Sequence, residues 1–206
     1  MEPLTLVVGS KNSSSWSLRP WLALREAGVP FREVVVPLDR VDTRENLARW
    51  SPSGKVPVLH HGANVVWDSL AIVEYVNELF PDRGLWPVDP AARALARSVS
   101  AEMHASFVAL RAHCPMDLHR RGAAPGDGPG VDADIARVHG IWSACLDRSG
   151  GPFLFGAITA ADAFYAPVVT RFRTYGKAVP APLAPYMDAV WNLPSLQEWV
   201  EAARNE

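Results

Sequence analysis

The sequence predicts an α/β domain over residues 1–81 followed by an all-α helical bundle over residues 91–206. Three observations predict it. Apolar, β-branched runs of strand length stop at Trp67. Residues 82–90 are dense in proline, glycine and aspartate and read as a linker. Beyond them, apolar residues recur at helical spacing only. The 206 residues are enough for one large or two small domains with a real core.

The first element is the apolar run Leu4–Gly9, read as a buried strand. Lys11, Asn12, Ser13, Ser14 and Ser15 form a polar turn. Ser17 or a neighbour then caps a helix reaching about Ala27, where Gly28 and Pro30 stop it. Pro20 is expected in the first turn, where its missing N–H costs nothing. Residues 31–38, rich in valine, give a second strand. Residues 43–50 give a short helix with Thr43 as N-cap. Residues 56–60 and 65–67 flank His61-Gly62-Ala63-Asn64, the spacing of a tight hairpin. Residues 69–80 are an amphipathic helix carrying Leu70, Val73, Val76 and Leu79. The order is βαβαββα, with parallel and antiparallel strands mixed.

In the second half, residues 91–113 read as one long helix. Residues 120–132 are a Gly/Pro-rich, mobile loop. Helices follow over 133–146, ended by Ser149-Gly150-Gly151, and over 159–175. Residues 182–203 hold one or two more, broken at Pro194.

Composition excludes several classes. A net charge of −2 gives no basic field for nucleic acid. No apolar run approaches the roughly 18 residues that span a membrane. The first residues lack a basic leader region. Cys114 and Cys145 make neither a CxxC pair nor a disulfide framework, which points to a reducing, cytoplasmic compartment. His60, His61, His104, His113 and His119 show no metal-ligand spacing such as HExxH, so they read as surface or core residues and no metal is expected. The eight tryptophans belong in a core or an interface.

The chemistry concentrates in three stretches. In Gly54-Lys55-Val56-Pro57-Val58-Leu59 a proline opens a strand, where its missing donor is tolerated. A cis Val56–Pro57 bond would turn the chain there and leave the Val56 N–H and C=O to pair with an extended peptide. Asp68-Ser69 opens a helix, whose N-terminus suits an anion. The serine turn precedes another helix. A small, extended, anionic peptide fits this set.

With Ser51-Pro52 ahead of Lys55-Val56-Pro57, with Asp68-Ser69, with Ser13-Ser14-Ser15-Trp16-Ser17-Leu18-Arg19-Pro20, and with Phe153-Leu154-Phe155-Gly156 before Thr159-Ala160-Ala161-Asp162, the chain resembles the glutathione transferase family over essentially its whole length. The last piece reads as a capping box, Thr159 with Asp162 at N3, and supports the fold alone. The resemblance implies a thioredoxin-like N-terminal domain, glutathione as co-substrate with no other cofactor, a small electrophilic second substrate, and a homodimer. The turn is of the serine type, similar to the zeta and theta classes and their bacterial relatives. It implies Ser14 as the hydroxyl that donates to the glutathione thiolate, with Ser13 and Ser15 as alternates. A free thiol has a pKa near about 8.5, and a helix N-terminus and a hydroxyl donor both favour its anion.

For glutathione itself, the resemblance implies Asp68 on the α-ammonium and Ser69 on the α-carboxylate. Val56, held by Pro57, would pair with the cysteinyl backbone, and Lys55 or Arg40 would meet the glycine carboxylate. The second substrate would lie by Trp16, Met103, Phe107 and Arg111. No cysteine stands in the turn, which disfavours a thiol-disulfide role, and no tyrosine lies near the first strand. The turn is also similar to that of the maleylacetoacetate isomerase class, whose Ser-Ser-Cys-Ser cysteine is matched here by Trp16. A glutathione-dependent isomerase and a non-catalytic interaction protein on the same scaffold are the alternatives.

Overall fold

The computed structural model describes residues 2–120 and 126–206. Its N-terminal part runs β1 (Leu4–Gly9), α1 (Ser15–Glu26), β2 (Phe31–Val36), α2 (Thr43–Ala48), β3 (Val58–His61), β4 (Asn64–Trp67) and α3 (Ser69–Leu79). The four strands lie in the order β2-β1-β3-β4. β1 runs parallel to β2 and antiparallel to β3, and β4 returns antiparallel to β3. This is the mixed sheet of a thioredoxin-like domain.

The period-two rule sorts β1 onto two cores. Leu4, Leu6 and Val8 join the large cluster that includes Leu18, Leu22, Ile72 and Val76 from α1 and α3. Val7 turns the other way, to Val36, Leu47 and Val58 under α2. β2 stops at Val36 because Pro37 has no N–H for the ladder. β3 and β4 are joined through Gly62 and Ala63, and Gly62 takes the left-handed φ of 57° that such a turn needs.

The second half holds α4 (Pro90–Ala105), α5 (Val108–His113), α6 (Val131–Ser149), α7 (Ala160–Thr174), α8 (Ala184–Trp191) and α9 (Pro194–Arg204). α7 is the axis of the molecule. Every residue from Ala160 to Phe172 is buried, the polar Asp162, Thr170 and Arg171 included. Thr159 and Asp162 form the expected capping box, and the buried Asp162 carboxylate also accepts from Leu154 N at 3.0 Å. The stretch over 82–90 is not a loose tether: Leu85 and Trp86 are buried in the common core, and Ala160 N donates to Leu85 O.

Several expectations are corrected. The helix expected over 91–113 is two helices, because Phe107 adopts a left-handed φ of 61° and sends its ring into the core. α5 then restarts with Leu110 N donating to Asp134 Oδ2. α1 begins at Ser15 with Ser14 at the N-cap, so Pro20 lies inside the helix and leaves the Trp16 carbonyl without its helical donor. Asp42, not Thr43, stands at the N-cap of α2; the Thr43 hydroxyl instead donates to Pro37 O and accepts from Arg40 N. α6 runs longer than 133–146 and ends on the left-handed Gly150. Part of the loop expected over 120–132, residues 121–125, lies outside the described residues.

Candidate functional site

An open cleft of about 460 Å³ is lined by Trp16, Ser53, Lys55, Val56, Pro57, Trp67, Asp68 and Ser69. Three local structures make it. The Val56–Pro57 bond is cis, and Val56 stands just before the β3–β4 ladder, which opens at Val58 opposite Trp67. The N-terminus of α3 supplies the second wall. Asp68, at φ 78°, caps that helix through Oδ1, which accepts from Leu70 N at 2.8 Å. Its Oδ2 lies 3.1 Å from His104 Nε2. The Ser69 hydroxyl is buried and has no hydrogen-bond partner among the described residues. The third wall is the start of α1, which presents Trp16.

The serine turn is held from both sides. Ser14 Oγ donates to Ser17 Oγ at 2.8 Å, and Ser17 Oγ also accepts from Gly9 N at 3.0 Å. Ser15 Oγ accepts from Arg171 of α7 at 3.1 Å. Ser13 is exposed. None of the three serines is among the residues that line the cleft; their neighbour Trp16 is. The C-terminal half clamps the turn from outside. Trp199 Nε1 donates to Lys11 O, Lys11 N donates to Glu206 Oε1, and His119 N donates to Asn12 Oδ1. The Lys11 ammonium pairs with Glu33 at 2.8 Å and lies about 5 Å from the rings of both Trp21 and Trp199.

Behind Trp16 sits a group of arginines. The guanidiniums of Arg19 and Arg111 each stand 4.2 Å from the Trp16 ring centroid. Arg111 also donates to His104 O, and the His104 ring meets Trp16 edge-on at 5.0 Å. Burial pulls the Arg19 pKa down to about 9, and the like charges of Arg111 and Arg171 add to this. Burial also lowers the His104 pKa; Asp68 opposes the shift, and Arg19 and Arg111 reinforce it.

Of the residues singled out in the sequence, Trp16, Lys55, Val56, Pro57, Asp68 and Ser69 meet in the cleft. Arg40 lies outside its lining, exposed in the β2–α2 loop. Met103 and Phe107 are not among the residues that line the cleft; both are buried in the large apolar cluster, Phe107 where the α4–α5 break turns it inward. Arg111 reaches the site only through the Trp16 ring. Ser53, Trp67, Arg19 and His104 were missed. Only Arg19 left a trace in the sequence, as the one charge within the apolar stretch 18–24; no spacing signal links His104 to Asp68. Cys114 and Cys145 are buried free thiols, and burial pushes Cys145 up to about 11, away from reactivity. Among the described residues no cluster of His, Cys, Asp or Glu could hold a metal, and no helix is long and apolar enough to cross a membrane.

Comparison with known proteins agrees with this geometry. Residues 13–79 match the model for the glutathione S-transferase N-terminal domain, and residues 93–202 the model for its C-terminal domain. A probable maleylacetoacetate isomerase of Caenorhabditis elegans is 37% identical over 90 residues, which are 44% of this chain and 41% of that protein, less than half its length. Glutathione S-transferase L1 of Arabidopsis thaliana is 25% identical over 188 residues, 89% of this chain and 71% of that one. The crystal structure of a Burkholderia glutathione transferase homolog with bound glutathione superposes over 100% of both chains with a TM-score of 0.75 and 25% identity. With both halves matched in order, the chain belongs to the glutathione S-transferase family.

Proposed function

We propose that the protein joins the thiol of glutathione to a small electrophile. One observation carries this reading: a cis-proline edge, a helix N-terminus capped by a carboxylate that lines the opening, and the start of a second helix all meet in one cleft. A γ-glutamyl peptide matches it group for group. Asp68 Oδ2 takes the α-ammonium. The unpartnered Ser69 hydroxyl and the α3 N-terminus take the α-carboxylate. The Val56 backbone pairs with the cysteinyl unit, and Lys55 meets the glycine carboxylate.

Ser14 is the donor to the thiolate. Its hydroxyl can turn from Ser17 to the sulfur at little loss, because Ser17 Oγ keeps the Gly9 N–H. It also stands at the N-terminus of α1, where negative charge is favoured. In the reaction the sulfur lone pair forms a bond to the electrophilic carbon. The displaced electron pair leaves with a leaving group or moves along a conjugated system. The thiol proton goes to water, and the enzyme gains rate by holding both partners in line.

The test is thermal unfolding with reduced glutathione, followed by conjugation of an activated chloronitroarene. Protection together with turnover is expected. A chain that uses this scaffold only for protein contacts would show neither. The same reading takes the protein as a cytoplasmic homodimer, which light scattering on the eluting peak checks.

A further inference from the structure

Two arginines of the α1–α7 junction are buried, and they differ in one respect. Arg171 is satisfied: its Nε donates to Cys114 O, Nη1 to Pro167 O and Nη2 to Ser15 Oγ. Arg19 is fully buried, yet its Nε, Nη1 and Nη2 have no hydrogen-bond partner among the described residues. A guanidinium presents five donors in a plane, and burying them unpaired is costly. The nearest opposite charge does not answer it. Asp68 spends Oδ1 on the α3 cap and Oδ2 on His104. Like charges crowd Arg19 instead, with Arg111 and Arg171 acting on the same group. Even so, a pKa of about 9 leaves it charged at neutral pH. Two further buried polar atoms of α4 lack partners: His104 Nδ1 and, one turn earlier, Ser100 Oγ.

The Arg19 guanidinium stands against the rings of Trp16 and Phe164, and of these two Trp16 lines the cleft. The Trp16 ring lies 4.2 Å from the guanidinium. A rotation of that one side chain would uncover Arg19 beside the place where the glutathione sulfur is held. The fork of a guanidinium matches a carboxylate in two parallel hydrogen bonds.

We propose that Arg19 recognises a carboxylate on the second substrate, so that the preferred electrophile is an organic acid whose anionic group passes beneath the Trp16 indole. The inference rests on the glutathione reading for its reaction, though not for its binding. Arg111, on the same ring, adds a second positive charge behind the indole.

trans-3-Benzoylacrylic acid and its methyl ester test this, being the same enone with and without the charge. The glutathione sulfur bonds to the carbon β to the ketone. The alkene π pair becomes an enolate, and water returns a proton to the carbon next to the ketone. Each kcat/KM is divided by the uncatalysed rate constant with glutathione, which removes intrinsic reactivity. The acid is expected to exceed the ester by about tenfold or more, the scale of a charge-assisted pair. Arg19→Met brings this ratio to about one, and Arg19→Lys restores part of it.

A second measurement needs neither turnover nor a variant. In calorimetric titration of the wild-type protein, the unreactive 3-benzoylpropionate should bind at least about tenfold more tightly than 3-benzoylpropionamide. A ratio near one for the enones, or equal binding of propionate and amide, overturns the proposal. If neither enone is conjugated, the transferase reading fails, and the propionate–amide comparison still decides the anion site. If Arg19→Met does not fold, the two wild-type comparisons decide it.

Discussion

Arg171 Nη2 and Ser15 Oγ, 156 residues apart in the chain, meet in a buried hydrogen bond of 3.1 Å. The bond ties the serine turn of the sheet domain to the central helix of the bundle. It also divides the work among adjacent serines: Ser15 is committed to Arg171, while Ser14 is joined only to a hydroxyl that already has another partner.

Ser15→Ala should therefore act on stability. It leaves a buried guanidinium N–H unpaired, at about 1–3 kcal/mol. For a chain of this size that lowers Tm by about 2–4 °C per kcal/mol. Differential scanning calorimetry measures it, and an unchanged Tm would show the bond to be dispensable.

Ser14→Ala should act on turnover. Removing one donor aimed at developing or resident negative charge lowers kcat by about a hundredfold. Binding of glutathione by calorimetry should stay within about twofold of wild type, since the peptide is held elsewhere, and the thiolate absorbance of bound glutathione should appear at higher pH. Full activity in this variant would move the donor role to Ser13.

Asp68→Asn separates a cap from a ligand. Asparagine caps helices about as well as aspartate and tolerates the positive φ of 78° seen here, so Tm should hardly move. The charge facing His104 is gone, however, and KM for glutathione should rise by about tenfold or more. An unchanged KM would leave Asp68 as a cap alone.

His104 makes stability depend on pH. Its folded pKa lies below the ordinary value near about 6.5, chiefly through burial, with Asp68 opposing. As pH falls through about 6.5, the unfolded chain takes up a proton that the folded chain refuses, so acid favours unfolding. The loss grows until the lowered folded pKa is passed, and it is absent above the unfolded one. His104→Gln should flatten this acid-side fall in urea unfolding measured at several pH values. His139, lowered by burial, has the same sign; Asp162, pushed up to about 6 by burial, has the opposite sign. Both are common to the two proteins, so the difference reports His104. Identical slopes would count against the assignment.

What could be read from the sequence was local. The strand runs, the proline before β3, the Asp68-Ser69 helix start and the Thr159–Asp162 capping box are each decided within a few residues, and each stands where expected. The break at Phe107 could not be read, since Ser106-Phe107 carries no stop signal; the gain from burying the ring in the bundle outweighs the helix. The burial of Met103 in the apolar cluster could not be read either, because an apolar residue facing a core and one facing a pocket look alike in one dimension. The partners that clamp the serine turn from the C-terminal half, His119, Arg171, Trp199 and Glu206, lie more than 100 residues away. No spacing rule reaches so far.

The indole of Trp199 locked against the Lys11 carbonyl has a consequence for how the protein comes into being. Synthesis delivers the sheet, the proline edge and the first helix early, but this clamp on the loop before that helix follows 188 residues later. A nascent chain stalled before α9 would own every residue of the cleft and still lack the brace that fixes one of its walls. Competence of the cleft thus depends on α9, a helix that contributes nothing to its lining.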